Sequence, residues 1–143
     1  MGHDSIRLLH ECHYGASMAV SAIDAVLDSV HDSQLRLRLE ESRSLHEALG
    51  QEAASILRRQ GLEGRTPGPV TRGMAQMKTN LRMALRPLDS TAAALMSDGC
   101  HMGTKTLARQ LNRLGEADVQ ARDITRRLIG IEDKLSGSLR PYL

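Results

Sequence analysis

The sequence predicts an all-α protein: an antiparallel four-helix bundle with a short extra helix before a kink at Pro87. Three observations predict it. Aliphatic residues recur at three- and four-residue intervals through four long stretches, which is the spacing of one helix face. A stretch rich in Gly and Pro, Gly61 to Pro69, divides the chain into two comparable halves. A short motif occurs once in each half, as Cys12-His13-Tyr14-Gly15 and as Cys100-His101-Met102-Gly103, and it contains both cysteines of the chain. The likeness extends outward, since Ile23-Asp24 answers Leu111-Asn112, Asp28 answers Glu116, and His10 falls opposite Asp98.

The first helix is expected from a cap at Asp4 or Ser5 to about Val30, with Ile6, Leu9, Ala16, Val20, Ile23, Leu27 and Val30 on its inner stripe. His13 fills the one gap in that stripe. The short connection His31-Asp32-Ser33-Gln34 implies an antiparallel neighbour. That second helix runs to about Gln60 and stops at Gly61, with Leu35, Leu39, Ser42, Leu49, Ala53 and Ile56 inward and His46 between Ser42 and Leu49. After the link, a helix from Val70 to about Arg86 offers Met74, Met77, Leu81, Met83 or Ala84, and Leu85 for burial. Pro87 interrupts it, because proline removes an internal hydrogen bond and crowds the preceding turn, giving a kink or a fresh start. The third long helix spans Leu88 to Leu114 on Met96, Cys100, Gly103, Leu107, Leu111 and Leu114, flanked by Leu95 and Met102. Gly115-Glu116 turns the chain into a last helix, Ala117 to Leu139, with Ala121, Ile124, Leu128, Ile131, Leu135 and Ser138 inward and Glu132 beside them.

At 143 residues the chain reads as one domain (hairpin 4–60, link 61–69, hairpin 70–140), large enough to bury a core without disulfides. With no Trp or Phe, two Tyr and seven Met, that core must be aliphatic. The formal charge of +2 selects no partner. A basic run of Arg58, Arg59, Arg65, Arg72, Lys78, Arg82 and Arg86, opposed only by Glu63, reads as solvated surface. Without interleaved aromatics, nucleic-acid binding is disfavoured. No charged-then-apolar leader and no window near the roughly 20 apolar residues of a membrane span is found, so a cytoplasmic protein with reduced thiols and no membrane association is expected.

The paired helices, the Gly/Pro link, the short helix before the third long one and Met102-Gly103 within it form a recognisable set, completed by Leu128-Ile129-Gly130-Ile131-Glu132 and Leu139-Arg140-Pro141-Tyr142-Leu143. On these the chain resembles small bacterial four-helix-bundle proteins of the ferritin-like superfamily. Di-iron members of that superfamily carry a Glu on each of two helices and Glu-x-x-His on the other two. This chain has no Glu-x-x-His; Asp98-x-x-His101 and Glu41 with His46 come nearest. Ferroxidase or oxygenase chemistry is therefore not carried over.

Two functional readings follow. In the first, a transition metal or cofactor binds at mid-bundle. His10 with His13, and Asp98 with His101, are i,i+3 pairs on two helices, and His46, Glu132 and the neighbouring Glu47 could complete a site. Such a set suits Zn, Fe or Mn, while Cys12 and Cys100 would be soft-metal or redox thiols. Adjacent helical residues point about 100° apart, so each Cys-His pair supplies a cysteine or a histidine but not both. In the second reading the chain is a non-enzymatic structural or protein-interaction module, a homodimer without metal. There Cys12 and Cys100 are small buried hydrophobes, and His13, His46 and His101 are core histidines bonded to one another, to Ser42 or to Glu132. Catalysis is disfavoured in either case, because neighbouring Cys and His on a helix cannot align for proton transfer and no oxyanion-forming turn is evident.

Overall fold

The computed structural model describes residues 1–64 and 67–143, so Arg65 and Thr66 of the expected link lie outside the described residues. Among the described residues there are five α-helices and no strand: α1 (His3–Leu27), α2 (Ser33–Arg59), α3 (Pro69–Leu85), α4 (Asp89–Arg113) and α5 (Val119–Leu139), closed by a 3-10 turn over Arg140–Tyr142. Two helix starts are sealed by side chains. The Asp32 carboxylate accepts from the amides of Gln34 and Leu35, and that of Asp118 accepts from Ala121, satisfying donors that a helix start leaves open. Gly61, at φ 74°, provides the left-handed step that ends α2. Pro87 gives a fresh start rather than a kink: α3 ends at Leu85 and α4 begins at Asp89.

Asp4 and Ser5 do not cap their own helix. Gly2 holds that position without a side-chain bond. Instead the Asp4 carboxylate accepts from the amide of Glu116 (3.1 Å), and the Ser5 hydroxyl accepts from that of Asp118 (2.8 Å). Asp89, in the first turn of α4, does the reciprocal service for the α1–α2 turn, accepting from the amides of His31 and Asp32 at 2.8 and 2.9 Å. These bonds fix the directions of the helices. The start of α1 lies at the α4–α5 turn, and the start of α4 lies at the α1–α2 turn. Hence α2 and α4 run the same way, α1 and α5 the other, and α3 carries the chain back along the molecule between them. It lies on α1 and more lightly on α4.

The core has two parts. Leu8, Leu9, Cys12, Leu49, Ala53, Leu57, Leu107, Ile124 and Leu128 belong to one, and Ile23, Val26, Leu35, Leu39, Met83, Met96, Cys100, Leu135 and Leu139 to the other. The stripe of α2 is buried as expected, whereas that of α1 is rotated. Leu8, Cys12 and Val26 are fully inside, while Ile6, Val20 and Leu27 are only half-buried. The larger departure is α3. Of the side chains offered for burial there, Met83 alone is buried; Met74, Met77, Leu81 and Leu85 are 60–73% exposed. On α4, Met102 also faces outward, at 71%.

Candidate functional site

Between the two parts of the core sits a polar group built by three helices: His46 of α2, Glu132 of α5 and Cys100 of α4. His46 is 1% exposed and Glu132 6%. The imidazole Nδ1 lies 2.8 Å from the Ser42 carbonyl one turn back on α2, and 3.2 Å from the Ser42 hydroxyl. Its Nε2 lies 3.2 Å from Oε1 of Glu132. A carbonyl oxygen only accepts, so Nδ1 donates to it and a second proton must lie between Nε2 and Oε1. The pair is thus imidazolium with carboxylate, or neutral ring with carboxylic acid. The Cys100 thiol, buried on α4, lies close to the same carboxylate. Gly103, one turn further along α4, gives that carboxylate its room.

Burial first, and the Glu132 charge second, drive the Cys100 thiol well above the ordinary range. Burial also pushes the Cys12 thiol up to about 11, against the opposing effect of its hydrogen bond with Thr125 at 3.1 Å. Both cysteines are free. Their partners Thr125 and Glu132 are seven residues apart on α5, two turns or about 10 Å. The repeated motif therefore sends its two thiols to separate levels of the core, both in the protonated, weakly nucleophilic form.

The other candidate ligands are dispersed. His13 is half-buried; a Cβ placed on Gly64 would come within 2.5 Å of its ring, so that glycine is packed face-on against the imidazole. His13 and His46 both line a cleft of about 340 Å³ between α1 and α2, along with Ser17, Ser21, Asp24, Glu47 and Gln51. Ala16 and Gly50 leave space there. At its rim, Arg43 grips Asp24 through two bonds of 2.6 and 3.2 Å and Glu47 through one of 3.1 Å. His10 borders a shallow recess with His3, Ile6 and Arg7. Asp98 is exposed, and His101 is exposed with Nε2 3.3 Å from the Ser136 hydroxyl. Of the six expected metal ligands, the structure brings His46 and Glu132 into direct contact. Among the described residues no group of three or more His, Cys, Asp or Glu side chains converges as a metal site would require.

Thr125 and the polar cleft were not anticipated. Thr125 is hidden because it sits inside an aliphatic stripe beside Ile124, and the cleft depends on an Ala16–Gly50 approach that sequence spacing does not reveal. Comparison of the chain with family models, with curated proteins and with solved structures returned no match.

Proposed function

We propose that this protein is a non-enzymatic helical module that works by docking through α3 onto a negatively charged surface. The observation that supports the reading is the outward apolar row of Met74, Met77, Leu81 and Leu85 on a helix whose one described buried side chain is Met83. At about 100° per residue, Met83 points nearly opposite the centre of that row. Fully covering a Met or Leu side chain contributes on the order of 1.5–3 kcal/mol, so the row as a whole represents a substantial unused driving force. Lys78 and Arg82 run along one edge of it, and both are exposed. Between Gly64 and Leu88 the chain has five basic residues, Arg65, Arg72, Lys78, Arg82 and Arg86, and no acidic one. That charge selects an anionic occupant. A second copy of the chain is the weaker occupant, since an antiparallel pairing of two α3 helices sets Lys78 and Arg82 against their own kind.

The test is whether the row is accessible and dispensable to the fold. The native protein should bind an apolar fluorescent dye. Substituting Met77→Gln together with Leu81→Gln should abolish that binding and leave the melting temperature unchanged. A melting temperature lowered by several degrees would make the row part of the fold and end the reading.

A ferritin-like bundle with a mid-bundle metal is the second reading. It is favoured by the helix directions, two parallel-running inner helices joined by one long crossover, and by the His46–Glu132 contact. Its donor set is two residues already bonded to each other, short of the three or four protein ligands of a zinc site. Stoichiometric Zn, Fe or Mn after reconstitution, lost on His46→Ala, would favour it over docking.

A further inference from the structure

We propose that the surface α3 docks on is an anionic lipid bilayer, with the helix lying in the plane of the headgroups. This rests on the docking reading above and names its partner. Two kinds of anionic surface could meet the same face, an acidic protein and a membrane, and three features favour the membrane.

The first is shape. The four outward side chains are unbranched or γ-branched aliphatics in one row, with Leu88 (48% exposed) beyond the end of the helix. Protein interfaces concentrate aromatic residues, Met and Arg, and their strongest anchors are Trp, Tyr and Arg filling pockets in a partner, with Leu under-represented. No aromatic residue lies between Gly64 and Leu88, and a row of flexible Met and Leu needs no preformed pocket. A liquid acyl region accepts it as it stands.

The second is the placement of charge. Lys78 and Arg82 each follow an apolar row residue by one position (Met77, Leu81), so these two cations line the edge of the apolar row, and Arg86 follows Leu85 just past the end of the helix. From there their long stems extend along apolar surface with the charged ends at headgroup level. None of the three is in an ion pair with another described residue, whereas Arg43 and Arg127 on α2 and α5 are held by carboxylates.

The third is orientation. α3 lies along the flank of the body, attached by Met83 on its inner side. Its outward row therefore forms a ridge that can meet a flat surface along its whole length. No helix is long and apolar enough to cross a membrane among the described residues, so the contact is a lateral one.

The experiment is co-sedimentation of the full chain with vesicles of phosphatidylcholine alone and of phosphatidylcholine mixed with phosphatidylglycerol. It uses wild type, Leu81→Glu, and Lys78→Glu with Arg82→Glu. All these side chains are exposed, so melting curves should coincide. Wild type should partition onto the anionic vesicles and not the neutral ones, with binding weakened by salt. Each variant should reduce that partition about tenfold or more. Equal binding to both vesicle types, or no effect of the charge reversals, would overturn the role given to the basic row and with it the proposal. No binding to either vesicle type, together with Leu81-dependent binding to polyglutamate, would overturn the lipid assignment and leave docking on an acidic protein. No binding to vesicles or polyglutamate would overturn both.

Discussion

A Cβ added to Gly103 would stand 2.9 Å from Oε1 of Glu132 and 3.0 Å from its carboxyl carbon. The carboxylate has nowhere easy to go, because His46 holds Oε1 and the side chain is only 6% exposed. Gly103→Ala should therefore destabilise the protein by on the order of 1 kcal/mol, an overpacking cost of about 1–3 kcal/mol partly offset by alanine's helix propensity. Gly15, the matching position of the first motif, has nothing within 4 Å of where its Cβ would be. Gly15→Ala should raise stability by about 0.5–1 kcal/mol. Urea denaturation of the two variants reads opposite signs from one repeated motif; a loss in both would mean that Gly15 has a packing role the structure does not give it.

The His46–Glu132 pair should be far more sensitive to losing one member than both. His46→Ala or Glu132→Ala strands a polar or charged partner in an aliphatic interior and should cost about 3–5 kcal/mol. Glu132→Gln should be milder, since its amide can donate to Nε2 of a neutral ring whose Nδ1 still donates to Ser42. The double change His46→Leu with Glu132→Met should cost less than the two single alanine variants summed. Additive losses in denaturation midpoints would show that the two side chains do not share a proton.

Neither thiol should react readily in the native protein. Burial pushes Cys12 up to about 11 and Cys100 higher, so at pH 8 both are almost wholly protonated as well as inaccessible. Alkylation followed by mass spectrometry should label them only as fast as the chain opens, and addition of urea should release both together. Rapid native labelling of either would contradict its position in the core.

How much of this was legible beforehand differs by element. The α2 stripe and the inward placement of His46 followed from spacing alone, because Leu35, Leu39, Ser42 and Leu49 mark one face without ambiguity. On α1, apolar residues occur on more than one side, so periodicity could not distinguish Leu8, Cys12 and Val26 from Ile6, Val20 and Leu27. Glu132 was legible as an oddity beside an apolar stripe, and its contact with His46 depended on helix directions that Asp4, Ser5 and Asp89 set through long-range bonds. The repeated motif misled in part. Duplicated sequence carried Cys100 and Gly103 to the central polar group, while Cys12 went to Thr125 and His101 to the surface. The α3 pattern was visible too, but an apolar row alone does not say whether it faces in or out.

That row and its opposite side make a separate prediction about local stability. Leu81→Gln removes nothing buried and should leave global unfolding within about 0.5 kcal/mol of wild type. Met83 is 4% exposed and is the buried attachment of α3 among its described side chains. Met83→Ala should cost about 2–3 kcal/mol. Helices of this length are marginal without tertiary contacts. Amide exchange should therefore accelerate across α3 in Met83→Ala, while amides of α2 and α5 keep their order of protection. Uniform acceleration across all helices would mean that α3 is integral to the core rather than laid upon it.

At the opposite end from the α4–α5 turn, Asp32 joins three elements: it caps α2, its amide donates to Asp89 of α4 at 2.9 Å, and its carboxylate accepts the Tyr142 hydroxyl at 3.1 Å. The amide of Leu35 most strongly holds its carboxyl below the usual range; partial desolvation, the next largest effect, opposes it, and the Tyr142 hydroxyl and the amide of Gln34 add smaller help. A carboxyl depressed in the fold contributes stability that is complete above its unfolded value, about 3.9, and that fades as pH falls through the folded value. Tyr142 works the other way. Burial first, then the bond to Asp32, raise its phenol, so its contribution is complete below about pH 10 and fades as pH rises through the folded value. Asp32→Asn keeps a capping oxygen but removes the charge. It should flatten the acid limb of the melting-temperature profile below about pH 4, and it should bring the alkaline spectroscopic titration of Tyr142 back toward its ordinary midpoint. Tyr142→Phe should remove the alkaline limb while leaving most of the acid one, because Leu35 and Gln34 still donate to Asp32. If the acid limb vanished with Tyr142→Phe, the hydroxyl and not the backbone cap would be what holds the Asp32 carboxyl down.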